Sequence, residues 1–187
     1  MSVKLMVEDY VRLAKSNPKV AQEFEYFKES IFNETLVWEG GSKLHNVPGD
    51  SGGWTKYGIA YNMNAQMFKN FDDFKDTTYE EAAAIAYVKY YRAISAFILP
   101  LKARLVYFDT AYNMGNLRVI KIMQKCAGVP DDGLIGPATR EKMQYVTEDC
   151  LYQERNKWYN LLAMKNRALG KFLRGWMNRS KAIFDVK

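Results

Sequence analysis

Trp38-Glu39-Gly40-Gly41-Ser42-Lys43-Leu44-His45-Asn46-Val47-Pro48-Gly49-Asp50-Ser51-Gly52-Gly53-Trp54-Thr55-Lys56-Tyr57-Gly58-Ile59 is the stretch of this 187-residue chain that breaks most clearly with helical patterning. From Gly40 to Gly58 it holds six glycines, one proline, one asparagine and one aspartate in nineteen residues. That composition predicts a loop or a short β-hairpin. Upstream, residues 3 to 16 and 19 to 36 place apolar side chains near helical spacing (Val3, Met6, Val7, Tyr10, then Val20, Phe24, Phe27, Ile31), with Asn17-Pro18 as the break. Downstream, a helix is expected from Thr78 to Ile98, where Thr78 suits the N-cap and Glu80 and Glu81 the first turn. Further helices are expected over Leu101 to Tyr112, Leu117 to Ala127 and from Pro137 onward, the last broken near Gly170. The chain therefore reads as mainly α with one small β element near residues 44 to 60.

Composition narrows the function. Apolar residues make up 48% and charged residues 26%, the balance of a globular protein. Net charge is +6, which fits a nucleic acid, an anionic membrane surface or a polyanionic cell wall, or a basic surface with no ligand. The cations are scattered, apart from a local concentration between Lys165 and Arg179, and no nucleic-acid signature accompanies them. No nucleic-acid partner is expected. No apolar run approaches a membrane span, because Ala93 to Leu105 is interrupted by Ser95, Pro100, Lys102 and Arg104. Membrane insertion is not expected either. The first ten residues carry Glu8 and Asp9 where a secretion signal would need an unbroken apolar stretch. Cys126 and Cys150 fall on different expected helices and are read as free thiols, and the lone His45 as a loop residue. No metal and no cofactor are predicted.

The candidate chemistry starts at Glu39. A carboxyl at the end of an amphipathic helix, before two glycines and a polar hairpin, is placed for the wall of a cleft. Burial against Val37 or Trp38 would favour its protonated form, so that it could hand a proton to a glycosidic oxygen. Asp50, eleven positions on, is a candidate second carboxyl, since glycoside hydrolysis generally uses two. Its structural alternative is an Asx turn in a Gly-rich loop. Asn113 could contact a sugar's hydroxyl or N-acetyl group, or close a helix beside Gly115. Asp132 to Thr139 could bind wall polymer, or could be an Asp-Gly turn leading into a helix at Pro137.

Glu39-Gly40-Gly41, Asp50, Gly52-Gly53 and Thr55-Lys56-Tyr57-Gly58-Ile59 together resemble the signature of glycoside hydrolase family 108, the N-acetylmuramidase lysozymes of phages and bacteria. Ser42 and Trp54 depart from the usual pattern of that family. Further on, Phe108 to Asn116, Gln124, Asp132 to Thr139 and Gly175 to Arg179 resemble the peptidoglycan-binding C-terminal half found with such catalytic halves. The resemblance covers roughly residues 30 to 180. It implies a lysozyme-like α+β fold, with a catalytic lobe over 1–97 carrying an N-terminal helical extension and a helical peptidoglycan-binding lobe over 98–187, packed together. It implies Glu39 as catalytic acid, Asp50 as its partner, and Thr55, Tyr57 and Asn113 as substrate contacts. The implied substrate is peptidoglycan, expected to be cut at the β-1,4 bond between N-acetylmuramic acid and N-acetylglucosamine by a monomeric endolysin-like enzyme. Such an enzyme is made in the host cytoplasm without a signal peptide and released through a holin or another export route. The alternatives are a lytic transglycosylase and a non-catalytic wall-binding or secretion-associated module.

Overall fold

A computed structural model of the chain describes residues 5–46 and 52–186. It is mainly α with one small antiparallel sheet, as the sequence predicts. Two compact units follow one another along the chain, the first ending at Lys89 and the second beginning at Tyr90. Asp50 and its neighbours Val47 to Gly49 and Ser51 lie outside the described residues. Among the described residues no helix is long and apolar enough to cross a membrane.

The first unit opens with α1 (Val7–Ala14) and α2 (Pro18–Phe27). Asn17 caps α2 by accepting from the Val20 amide at 3.0 Å, and Pro18 occupies the first turn, where its missing N–H costs nothing. A π-helical turn, Lys28–Phe32, leads into α3 (Asn33–Leu36). Three short strands follow: β1 (His45–Asn46), β2 (Trp54–Lys56) and β3 (Ile59–Ala60), in the order β1-β2-β3. The pairing is His45 with Thr55 and Thr55 with Ala60, so the expected hairpin is a three-stranded sheet. Two short helices, α4 (Tyr61–Asn64) and α5 (Phe71–Lys75), and then α6 (Tyr79–Ala86) complete the unit. Thr78 caps α6 reciprocally with Glu81, as read from the sequence.

The apolar faces of these helices meet in a core of Phe24, Phe27, Ile31, Phe32, Phe74, Ile85 and Tyr87, all essentially inaccessible. Phe24 and Phe27 lie 5.2 and 5.4 Å from the Tyr87 ring, separations at which tilted aromatic pairs attract. The Tyr87 hydroxyl donates to Glu23 Oε2 at 2.9 Å, so its polar end is satisfied within that core. The helix expected to run to Ile98 instead widens to a π turn over Tyr87–Arg92 and ends in a 3-10 turn over Ala96–Ile98. Ser95, between the two, adopts a left-handed φ of 55°.

The second unit is α7 (Leu101–Met114), α8 (Asn116–Ala127), α9 (Pro137–Met143), α10 (Glu148–Lys165) and α11 (Leu173–Asp185). A 3-10 segment, Arg167–Phe172, sits where the break near Gly170 was expected. Its core holds Tyr107, Phe108, Val119, Met123, Met143, Leu151, Tyr159 and Ile183. The Asp132-Gly133 turn is tied down by Gln124, which is fully buried. The Gln124 amide donates to Asp132 Oδ1 at 2.7 Å and to the Leu134 carbonyl at 3.0 Å, and its oxygen accepts from the Gly133 amide at 2.8 Å. A side chain at Gly133 would approach Leu117 to 2.5 Å, and φ there is +85°. Asp132, Gly133 and Leu134 thus have a structural role in this turn.

Cys126 and Cys150 are not free thiols: they form a disulfide joining α8 to α10, with Cα atoms 5.8 Å apart. Sequence spacing conceals the pair, because it depends on how two helices pack rather than on distance along the chain. Closing a loop of this size stabilises by about 3–4 kcal/mol in the chain-entropy treatment. Replacing both cysteines by serine is expected to lower the unfolding temperature by on the order of 10 °C in a thermal melt. Reductant should shift the wild type likewise and leave the double variant unchanged.

Candidate functional site

Glu39 stands in the turn that ends α3. Thr35 and Leu36 point into the core at 0% and 8% exposure, and helical phase then carries the next residues outward. Val37 is 76% and Trp38 40% exposed, so both present apolar surface to solvent beside the acid. Glu39 itself is half-buried. The turn is closed by backbone bonds: the amides of Glu39 and Gly41 donate to the Leu36 carbonyl at 3.1 and 3.3 Å. Gly40 and Gly41 have φ of +77° and +60°, a region costly for side chains, which explains the glycine pair after the acid.

The sheet is fastened to this turn. The Tyr57 amide donates to the Gly41 carbonyl at 3.0 Å, placing the β2–β3 loop two residues from the acid. Tyr57 and Gly58 both have positive φ, 53° and 77°, as a two-residue hairpin loop of the I′ kind requires. Tyr57 holds that conformation with its ring 9% exposed and edge-on to Tyr79 at 6.4 Å. Thr55 is half-buried in the central strand, its hydroxyl 3.5 Å from the Gly53 carbonyl. The structure therefore gathers Glu39, Thr55 and Tyr57 in one neighbourhood.

His45, read as a loop residue, belongs to β1 and lies against the same turn. A Cβ built on Gly40 would stand 3.5 Å from His45 Cε1. The His45 Nδ1 is 3.2 Å from the Lys43 carbonyl, which orients the ring. Nothing in the spacing of a lone histidine signals this; only the register of β1 on β2 reveals it. Trp54, 40% exposed and 6.0 Å from Phe71, adds an open aromatic face on β2. Gly53 is demanded by close approach, since a Cβ there would come within 2.7 Å of Asn62 Nδ2, and its φ is +66°. Gly53→Ala is expected to destabilise the first unit by about 1–3 kcal/mol, read as a lowered melting temperature.

Asn113 lies in the second unit, near the end of α7. It is exposed, yet its Oδ1 accepts from the Tyr159 hydroxyl at 2.8 Å. That hydroxyl accepts in turn from Arg155, part of a buried cluster in which Arg155 and Arg179 each reach the Asp109 carboxylate at 2.7 Å. Burial pushes the Asp109 carboxyl up, but the two guanidiniums together outweigh it and hold the group below the usual range. Asn113 is thus tied to the scaffold of its unit through Tyr159.

No curated protein matches the chain. The solved structure of Brucella abortus SagA is similar to it, with a TM-score of 0.68 at 23% sequence identity, over 88% of this chain and 92% of that one. At that identity the likeness is one of fold. Residues 32–115, which hold Glu39 and the small sheet, match the family model described as Glycosyl hydrolase 108.

Proposed function

We propose that the chain is a muramidase that hydrolyses the β-1,4 bond between N-acetylmuramic acid and N-acetylglucosamine in peptidoglycan. The observation that carries this reading is the position of Glu39 inside the matched segment, at a glycine-terminated helix end onto which a small sheet is hydrogen-bonded. Trp38 and Trp54 leave open ring faces against which sugar rings can pack. On this reading Glu39 gives its proton to the glycosidic oxygen as the bond to the anomeric carbon breaks. Asp50 steadies the positive charge that develops on the sugar or takes a proton from water, whose oxygen then bonds to the anomeric carbon. Thr55, at the centre of the sheet, and Tyr57, at its tip, hold or contact the substrate.

The test is digestion of purified cell walls followed by mass analysis of the fragments. Hydrolysis leaves a reducing N-acetylmuramic acid end carrying the added water. A product lighter by one water, with an internal anhydro ring, would instead identify a transglycosylase. Reducing N-acetylglucosamine ends would mean that the other glycosidic bond is cut. Asp50→Asn is expected to slow turnover strongly while leaving the product unchanged.

A further inference from the structure

α8 and α10 run side by side in opposite directions. The disulfide joins residues 126 and 150, and the Arg118 guanidinium stacks 3.4 Å from the centre of the Trp158 ring. Two fixed points, eight residues apart on each helix, lock the register of the pair over about 12 Å. Between the helices lies a cavity of about 180 Å³. Arg118, Lys121 and Lys125 line it from α8, while Ile122 and Leu161 give it apolar walls. On the α10 side Lys157 is already matched by Glu154 at 2.6 Å. Among the described residues Arg118 makes no ion pair, and Lys125 comes only within 3.9 Å of Asp131. The groove is therefore left with an excess of positive charge beside an aromatic ring.

Arg118, Lys121 and Lys125 recur at spacings of three and four, so they share one face of α8 over about 10 Å. A single small anion would engage one end of such a row. The cavity is also smaller than the roughly 300–1,000 Å³ of an enclosed small-molecule site. It fits one ring of a chain that lies across it. The apolar wall of Ile122 and Leu161 suits the face of a sugar, and a row of cations suits acidic groups repeated along the chain. A guanidinium held on an indole is already oriented for a carboxylate, so little freedom is lost on binding.

We propose that this groove binds an acidic glycan, with a sugar ring against the apolar wall of Ile122 and Leu161, Trp158 holding the Arg118 guanidinium in place, and successive carboxylates on Arg118, Lys121 and Lys125. The site does not depend on the hydrolase reading, since none of its residues belongs to the Glu39 neighbourhood, and Glu39→Gln protein should bind as wild type does. The test is titration of the full chain, followed by calorimetry, with tetragalacturonate, neutral chitotetraose, inorganic phosphate and a single-stranded oligonucleotide at matched ionic strength. Tetragalacturonate is expected to bind, more weakly as salt is raised. Its affinity should fall at least about 10-fold in Arg118→Gln/Lys121→Gln and in Trp158→Leu, each checked by thermal melt for an intact fold. Lys171→Gln/Arg174→Gln, which removes the same charge elsewhere in the unit, should bind like wild type. Absence of tetragalacturonate binding, equal binding of the neutral sugar, or equal loss in the control variant would overturn the proposal. So would phosphate displacing tetragalacturonate at equal concentration, or tighter oligonucleotide binding through the same residues.

Discussion

Glu39→Gln is expected to lower the rate of cell-wall hydrolysis by about 10²–10⁴-fold, the range that a positioned general acid contributes. The substitution keeps the shape of the side chain and removes its charge together with its capacity to donate and recover a proton. It leaves untouched the features that hold the turn: the positive φ at Gly40 and Gly41, and the backbone bonds to Leu36 and from Tyr57. Melting temperature should therefore stay close to wild type, within the effect of an ordinary surface substitution of about 0.5 kcal/mol. The loss then belongs to chemistry and not to folding. Because the acid acts in the transition state, kcat should fall while KM changes little. Retention of activity within about 3-fold would remove Glu39 from the mechanism.

Asp109→Asn is expected to destabilise the second unit by about 3–5 kcal/mol, the usual consequence of removing one partner from a buried ion cluster. Asp109, Arg155 and Arg179 are all buried, and the carboxylate is the group that both guanidiniums share. An amide would leave two buried cations without their common counter-charge. The cluster has little slack, since Arg155 Nη1 is already buried with no hydrogen-bond partner among the described residues. The same cluster sets a pH dependence. The folded carboxyl lies below its ordinary value, so its stabilisation is complete above the unfolded value of about 3.9 and fades as pH falls through the lower folded value. Near-UV circular dichroism between about pH 5 and 2 should show the wild type losing stability in that window and the variant much less sensitive there.

Much of the scaffold is written in local signals. Thr78 with Glu81, Pro18 and Pro137 in first helical turns, and Gly40-Gly41 after Glu39 each act through backbone geometry within a few residues, and each stands where the sequence places it. Other features depend on tertiary packing and leave no such mark. Helices α4 and α5 have four and five residues, too short for an apolar period to register. The π turns widen helices whose sequence continues the same pattern. Val37 and Trp38 are apolar yet exposed, because the phase of α3 had already turned Thr35 and Leu36 inward. His45 and the Cys126–Cys150 pair become visible only once strands and helices have met. At the candidate site the helix end that carries Glu39 and its glycine pair is legible, its surroundings less so, and Asp50 lies outside the described residues.

The bond between Cys126 and Cys150 also makes part of the chain a covalent ring. That ring contains α9 and the exposed segment around Pro130 to Asp132. A protease cutting once within it would not divide the molecule: the two pieces would remain one particle, with α8 and α10 still fastened. The Asp-Gly turn could thus be severed without losing a fragment, and only a cut combined with reduction would let the C-terminal helices leave.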